Sequence, residues 1–212
     1  MNKSSLITIV DYGMGNIKSI QKGFEKVGAK VLVSADPDEI RNAERVVIPG
    51  VGAFKIGMKV LLEKKIDSSL KDFVKKGNPL LGICLGMQMM MRSSEEQGLT
   101  SGLGLINGNV IRIPEGSGKE KNKIPHIGWN KIYQENNLQD SILKDVKEKD
   151  FFYFVHSFMC QIKNKKNILA SSKYNDCIIT AAIQYENLIG LQFHPEKSSN
   201  IGLTILRNFL KI

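Results

Sequence analysis

Cys84 sits where its neighbours could make a thiol reactive. Gly82-Ile83-Cys84-Leu85-Gly86 follows the apolar run Leu80 to Ile83, which Pro79 introduces. It leads into Met87-Gln88-Met89-Met90-Met91, a stretch without glycine or proline that reads as the first turns of a helix. A cysteine at a sharp strand-to-helix turn has the geometry of a nucleophile elbow, with sulfur in place of a hydroxyl. The flanking glycines let the strand and helix backbones approach closely, which pushes the sulfur into a cleft. A free thiol titrates near pH 8.5, and a helix N-terminus with a nearby imidazole lowers that value, so Cys84 is placed to act as a nucleophile.

The base is found near the other end of the chain. Gly190-Leu191-Gln192-Phe193-His194-Pro195-Glu196 ends an apolar, strand-like segment on a histidine, with a carboxylate two positions later. Residues two apart on an extended segment point the same way, so Glu196 can orient the His194 ring while His194 takes the Cys84 proton. Acyl transfer also needs donors for the oxyanion of the tetrahedral intermediate. The amide of Leu85, directly after the cysteine, is one candidate. The glycine-rich loop Pro49-Gly50-Val51-Gly52-Ala53-Phe54 offers another from its Gly50, Val51 or Gly52 amides.

These groups need elements to carry them. Leu6 to Val10 reads as a buried strand, and Ile17, Ile20, Phe24 and Val27 mark one face of a helix ending near Gly28. Val31 to Val33 is a second strand, Asp36-Pro37 starts a short helix, and Arg45 to Ile48 is a third strand. Strand and helix in alternation predict an α/β fold with a mostly parallel sheet and helices on both faces. In such a sheet the loop after the third strand opens on the same crevice as Cys84. Ser93 to Gly98 is polar and is expected to end the helix after Cys84. Strand-like segments follow at Asn109 to Ile113, Trp129 to Tyr133, Phe151 to His156, Ile178 to Gln184 and Leu188 to Phe193, with a hairpin turn at Tyr185-Glu186-Asn187. They read as a mixed extension of the sheet, closed by an amphipathic helix over Ile201 to Leu210.

With 212 residues and 42% hydrophobic content, the chain is long enough for one core, and 1–212 reads as a single domain. The apolar stretch Leu6 to Val10 is too short for a secretory signal or a membrane span, which predicts a cytoplasmic protein with no membrane partner. Cys84, Cys160 and Cys177 have no C-x-x-C spacing, and the three histidines are dispersed, so neither a disulfide framework nor a metal site is expected. His126 and His156 read as structural or interface residues. The net charge of +9 raises nucleic acid as a partner, but only five of the 30 basic residues are arginine, and no stretch interleaves them with aromatics. A solvated lysine-rich surface is the reading, with 116–123 an exposed loop. Asp11 to Asn16 lacks the third glycine of a dinucleotide fingerprint, so no nucleotide cofactor is expected.

The motifs Gly82 to Gln88, Pro49 to Gly52 and His194-Pro195-Glu196 together resemble the class I glutamine amidotransferase family, whose fold is three-layered and flavodoxin-like. Within it, Pro125-His126-Ile127-Gly128-Trp129-Asn130, Phe152 to Ser157 and His194 to Ser199 resemble the glutaminase subunits of imidazole glycerol phosphate synthases, along essentially the whole chain. The resemblance implies hydrolysis of L-glutamine to glutamate and ammonia without a cofactor. The ammonia would pass to a (βα)8-barrel cyclase subunit, in a heterodimer, for histidine biosynthesis. It assigns Cys84 as nucleophile, His194 as base and Glu196 as orienter, and Pro49 to Gly52 as an oxyanion strand whose amides turn inward when the partner is engaged. Gln88 and Glu96 match positions that hold the substrate, with the backbone at Ser157 and Phe158 lining the same pocket. Asn16, Trp129, Tyr153 and Lys197 match positions facing the synthase. Phe158 stands where tyrosine is common, and Ile127 where methionine is usual.

Other readings share some of these features. An α/β-hydrolase with a cysteine nucleophile has the elbow, but its acid comes before the histidine. A paralogous glutaminase would keep the catalytic motifs and feed a different synthase. A non-catalytic binding module would be indifferent to Cys84→Ser. Partner gating of the oxyanion loop predicts that the isolated chain hydrolyses glutamine poorly.

Overall fold

The computed structural model describes residues 6–116 and 121–212, so part of the 116–123 loop and the first five residues lie outside the described residues. The first half alternates as its periodicity predicts: β1 (Leu6–Val10), α1 (Ile17–Lys26), β2 (Lys30–Ser34), α2 (Pro37–Arg41), β3 (Val46–Ile48), α3 (Phe54–Glu63), α4 (Ile66–Lys75), β4 (Leu80–Ile83) and α5 (Leu85–Met89). The second half supplies β5 (Ser93–Ser94), β6 (Thr100–Ser101), β7 (Gly108–Arg112), β8 (His126–Lys131), β9 (Tyr133–Gln134), β10 (Phe151–His156), β11 (Phe158–Ile162), β12 (Ile168–Tyr174), β13 (Cys177–Tyr185), β14 (Leu188–Leu191) and α6 (Ser199–Phe209).

The central sheet runs β2-β1-β3-β4-β14-β13-β12-β9. β2, β1, β3, β4 and β14 are parallel, and β13, β12 and β9 continue antiparallel from β14. Each parallel strand is apolar on both sides because both faces are covered. Ile7, Ile9, Val47, Leu81 and Ile83 pack with α1 and α6 through Phe24, Ile205, Leu206 and Phe209. Val10, Val46, Ile48 and Leu80 point the other way, onto Phe54, Met58, Leu61, Leu70 and Phe73 of α3 and α4. The period-2 alternation of side chains thus divides one apolar run between two cores.

The second half departs from a simple extension of this sheet. β8 and β10 form a separate antiparallel ribbon, and β11-β7-β5-β6 form a third sheet. Only β9, β12, β13 and β14 join the large one. The helix after Cys84 also ends sooner than its polar boundary predicts. Met87, Met89, Met90 and Met91 are all fully buried, so the segment has no solvent face. The returning chain takes its last carbonyls: Leu103 N–H donates to Met89 O at 2.8 Å, Ile106 N–H to Met90 O at 3.0 Å and Gly104 N–H to Met91 O at 3.0 Å. Those acceptors have partners without another helical turn, and Ser93–Ser94 is a short strand.

Candidate active site

Three parallel strands, β3, β4 and β14, lie side by side, and all end at the same edge of the sheet. The central one delivers Cys84, its neighbour β3 delivers the Pro49–Phe54 loop, and β14 leads through Gln192 to His194. Cys84 N–H donates to Leu191 O at 2.7 Å, which fixes the start of the turn against β14. Open parallel sheets bind ligands outside such carboxyl ends, and this topology makes residues more than 100 positions apart neighbours.

The turn at Cys84 is strained. Its φ is +52° and its ψ −108°, a conformation that L-residues rarely adopt. Glycine is required beside it: a Cβ on Gly86 would lie 2.0 Å from Ile48 O, and one on Gly82 2.6 Å from Met87 N. The sulfur points at the Val155 carbonyl, 3.8 Å away, and accepts from Gln192 Nε2 at 3.5 Å. Cys160 and Cys177 are buried too, and burial raises both of their thiols. They lie outside the cleft that Cys84 lines.

His194 is 1% exposed, and its Nδ1 is 2.8 Å from Glu196 Oε1. Its Nε2 has no hydrogen-bond partner, nor has Glu196 Oε2. Burial opposes a charge on this ring, but Cys84 on one side and Glu196 on the other favour imidazolium, and together they raise His194 to about 10. The way Glu196 reaches the ring differs from the extended geometry of the sequence reading. Pro195–Lys197 is a 3-10 turn after an extended His194, because Pro195 at its first position fixes φ and folds the chain back. The turn is held by a ring of bonds that includes β10. Ser198 Oγ donates to His194 O at 2.7 Å, Tyr153 N–H donates to Ser198 Oγ at 3.0 Å, and His194 N–H donates to Tyr153 O at 2.9 Å.

A cleft of about 240 Å3 opens in front of Cys84, room for an amino-acid-sized molecule. Val51, Gly52, Leu85, Gln88, Glu96, Ser157 and Phe158 line it, as do Pro125, Val155 and His156. Gly50 lies behind the wall, where a Cβ would meet Leu85 Cβ at 2.5 Å. The Pro49–Phe54 loop is pinned at both ends: Tyr12 Oη donates to Pro49 O at 2.7 Å, and Phe54 N–H donates to Glu96 Oε2 at 2.8 Å. Glu96 thereby faces the cleft and at the same time closes the N-terminus of α3, where a carboxylate is favoured. Gln88 is already engaged. Its Nε2 donates to Phe158 O at 2.9 Å and to Gln192 Oε1 at 3.1 Å. The Ser157 carbonyl accepts from Ile113 N–H at 2.9 Å.

Behind the cleft, His156 Nδ1 is 2.8 Å from Phe158 O, His126 Nδ1 is 3.0 Å from His156 Nε2, and Asn130 Nδ2 is 3.0 Å from His126 Nε2. The carbonyl at one end and the amide at the other fix both tautomers as neutral. Burial lowers His126 to about 4 and His156 to about 3. Of the residues matched to a synthase-facing surface, three cluster. Trp129 and Tyr153 are cross-strand partners with ring centroids 5.8 Å apart, and Lys197 Nζ lies 5.6 Å over the Tyr153 ring. Asn16 stands at the N-cap of α1 and makes no capping bond with its side chain.

Gln192, Tyr12 and Val155 were missed as site residues. For Gln192 a signal is present: it lies two residues before His194 in the segment that leaves β14. Tyr12 reaches the Pro49 carbonyl and Val155 offers its own carbonyl to Cys84, contacts that no local spacing reveals.

Comparison with known proteins completes the picture. The family model "Glutamine amidotransferase class-I" matches residues 8–212. The chain is 45% identical over 212 residues to "Imidazole glycerol phosphate synthase subunit HisH 1" of Legionella pneumophila (strain Lens), covering 98% of this chain and 100% of that one. It is 46% identical over 207 residues to the subunit HisH of Methanosarcina barkeri (strain Fusaro / DSM 804), covering 96% and 97%. Among solved structures, PurLQS from Thermotoga maritima superposes with a TM-score of 0.73 at 19% identity, over 98% of each chain, a likeness of fold. The match spans nearly the whole chain, and the chain belongs to the class I glutamine amidotransferases.

Proposed function

We propose that this chain is the glutaminase subunit of an imidazole glycerol phosphate synthase, hydrolysing L-glutamine and passing ammonia to a (βα)8-barrel cyclase subunit in the cytoplasm. The observation that carries the reading is the strained Cys84, set between the glycine-rich loop and the His194–Glu196 pair at one sheet edge. Relatives named as subunit HisH at 43 to 46% identity support the pathway.

The reaction follows from the groups present. Glutamine enters the cleft with its α-ammonium toward the Glu96 carboxylate, and its side-chain carbonyl lies against Leu85 N–H. Cys84, as the thiolate of a thiolate–imidazolium pair with His194, attacks the amide carbon. The carbonyl electrons move to oxygen, and the oxyanion accepts from Leu85 N–H and a turned-in amide of the Gly50–Gly52 segment. His194 Nε2 gives its proton to the amide nitrogen, the C–N bond breaks and ammonia leaves, with a thioester left on Cys84. His194, now neutral, takes a proton from water, and the hydroxide attacks the thioester. Collapse of the second tetrahedral intermediate expels the thiolate and releases glutamate. Glutamine and water give glutamic acid and ammonia, and the new carboxyl gives up its proton to solvent as glutamate. Glu196 holds Nδ1, which leaves the unpartnered Nε2 free to exchange protons at each step.

Trp129, Tyr153, Lys197 and Asn16 would face the barrel. The test is glutamate release by the purified chain, alone and with the cyclase subunit and its phosphoribosyl substrate. Slow release alone, a rise of two orders of magnitude or more in the complex, and loss of activity in Cys84→Ala are expected. A rapid reaction by the isolated chain would overturn partner gating. Labelling of Cys84 by an electrophilic glutamine analogue, without stimulation by the cyclase, would move the chain to another synthase. No glutamate release under any of these conditions, and no labelling of Cys84, would leave a binding module.

A further inference from the structure

We propose that Gln192 is a second hydrogen-bond donor to the Cys84 sulfur, held in place by Gln88, and that it stabilises the thiolate independently of His194. This rests on Cys84 being the nucleophile.

The orientation of the Gln192 amide, which an isolated glutamine would leave ambiguous, is fixed by its neighbours. Phe158 O is a carbonyl and only accepts, so the end of Gln88 that lies 2.9 Å from it is Nε2. That same nitrogen is 3.1 Å from the Gln192 side chain, so the Gln192 atom facing it is Oε1. The remaining end, Nε2, is therefore the one 3.5 Å from Cys84 Sγ. Gln192 is fully buried, so no solvent competes for this donor. It does not line the cleft, so substrate has no access to it. The thiol hydrogen has a separate acceptor in Val155 O, 3.8 Å from the sulfur. A neutral thiol can donate to that carbonyl. A thiolate cannot, and it gains instead from the Gln192 N–H.

His194 spends its proton on the leaving ammonia and later holds the proton taken from water, so its charge changes through the cycle. Gln192 has no such change of state. It offers the same donor when the thiolate attacks and when the thiolate departs from the second tetrahedral intermediate. The relay Phe158 O, Gln88, Gln192, Cys84 also explains why Gln88 is turned into the protein rather than wholly toward the cleft. Gln88 is a positioning residue for Gln192.

The experiment is alkylation of the full chain by iodoacetamide across pH, read at Cys84 by peptide mass spectrometry, in native protein, Gln192→Met, Gln88→Met and the double variant. Methionine keeps the volume of glutamine and removes the donor. Gln192→Met is expected to raise the Cys84 alkylation midpoint by about one pH unit and, at pH values below that midpoint, to slow the reaction by about tenfold. The midpoint shift should persist in a His194→Asn background. In the complex with its cyclase, kcat for glutamine should fall with KM within twofold, because Gln192 touches sulfur and not substrate. Gln88→Met should shift the midpoint the same way by less, and the double variant should equal Gln192→Met alone.

A folded Gln192→Met with the native rate and midpoint overturns the inference, as does a shift that vanishes without His194. Should Gln192→Met fail to fold, Gln88→Met decides: an unchanged midpoint there overturns it too. If native Cys84 is not alkylated at any pH, it is the nucleophile reading that falls.

Discussion

Cys84 keeps a backbone conformation that costs about 1–3 kcal/mol, and the surrounding atoms leave it no alternative. Ile48 O and Met87 N close on the Cα atoms of Gly86 and Gly82 from either side, so the elbow exists only while both positions lack a Cβ. Gly86→Ala is expected to destabilise the protein by about 2–4 kcal/mol and to abolish glutamate release, since the clash falls on backbone that cannot swing aside. Chemical denaturation together with a glutaminase assay checks both, and a loss below about 0.5 kcal/mol would show that the turn relaxes. At this scale much was legible in the sequence. G-x-C-x-G announced a turn because a tight turn needs those glycines, and His-x-Glu announced a pair. The turn that brings Glu196 onto the ring was not legible as such, since a period of two and a proline-started 3-10 turn both place the two side chains together. Gln88 shows the limit of spacing. Its position one turn after Cys84 was clear, but what its amide would bond to depends on Phe158 and Gln192, some 70 and 104 residues distant.

Among the elements, the Pro49–Phe54 loop carries the most testable energetics. Tyr12 Oη holds its first carbonyl and Glu96 its last N–H, and burial pushes the Tyr12 phenol far above its usual range, so the group remains a donor at any working pH. Tyr12→Phe leaves Pro49 O without that donor and is expected to cost about 1 kcal/mol of stability. It should also raise basal glutamate release by the isolated chain, because the loop is freer to present its amides. A fall in basal release would contradict that role for the pin. Glu96→Gln keeps the shape, removes the charge at the N-terminus of α3 and should raise KM for glutamine at least tenfold, with a loss of about 0.5–1 kcal/mol in stability. Steady-state kinetics of the complex and thermal melts separate the two effects. The strands of the second half were only partly legible. β8 and β10 alternate clearly, yet alternation does not say which sheet a strand joins. β11 begins one residue after β10 with no turn-forming sequence between them, and β12 carries two serines and a lysine in place of a β-branched run.

Two large cores lie on opposite faces of the central sheet, and the histidines, which the folded state treats in opposite ways, make the stability of the whole molecule depend on pH. His126 and His156 are held neutral, with values lowered to about 4 and about 3. Below pH 6.5 the unfolded chain binds protons that the folded one refuses, so stability falls as pH drops from about 6.5 toward 3. His194 is raised to about 10, so the stability it contributes is complete below pH 6.5 and is lost as pH rises from there to 10. Stability should therefore peak near neutrality, measured as the denaturant midpoint against pH. Cys84→Ala should flatten the alkaline limb and leave the acid limb unchanged; an unchanged alkaline limb would remove the sulfur from the titration. One further consequence follows from the ring of bonds joining Tyr153, Ser198 and His194. Tyr153 carries an aromatic ring on the outer ribbon, and its own peptide groups are tied to the peptide of the base, with a single serine hydroxyl as the clasp. A displacement of the ribbon at Tyr153 would thus reach the peptide of His194 through these bonds, so the ribbon and the base are mechanically linked.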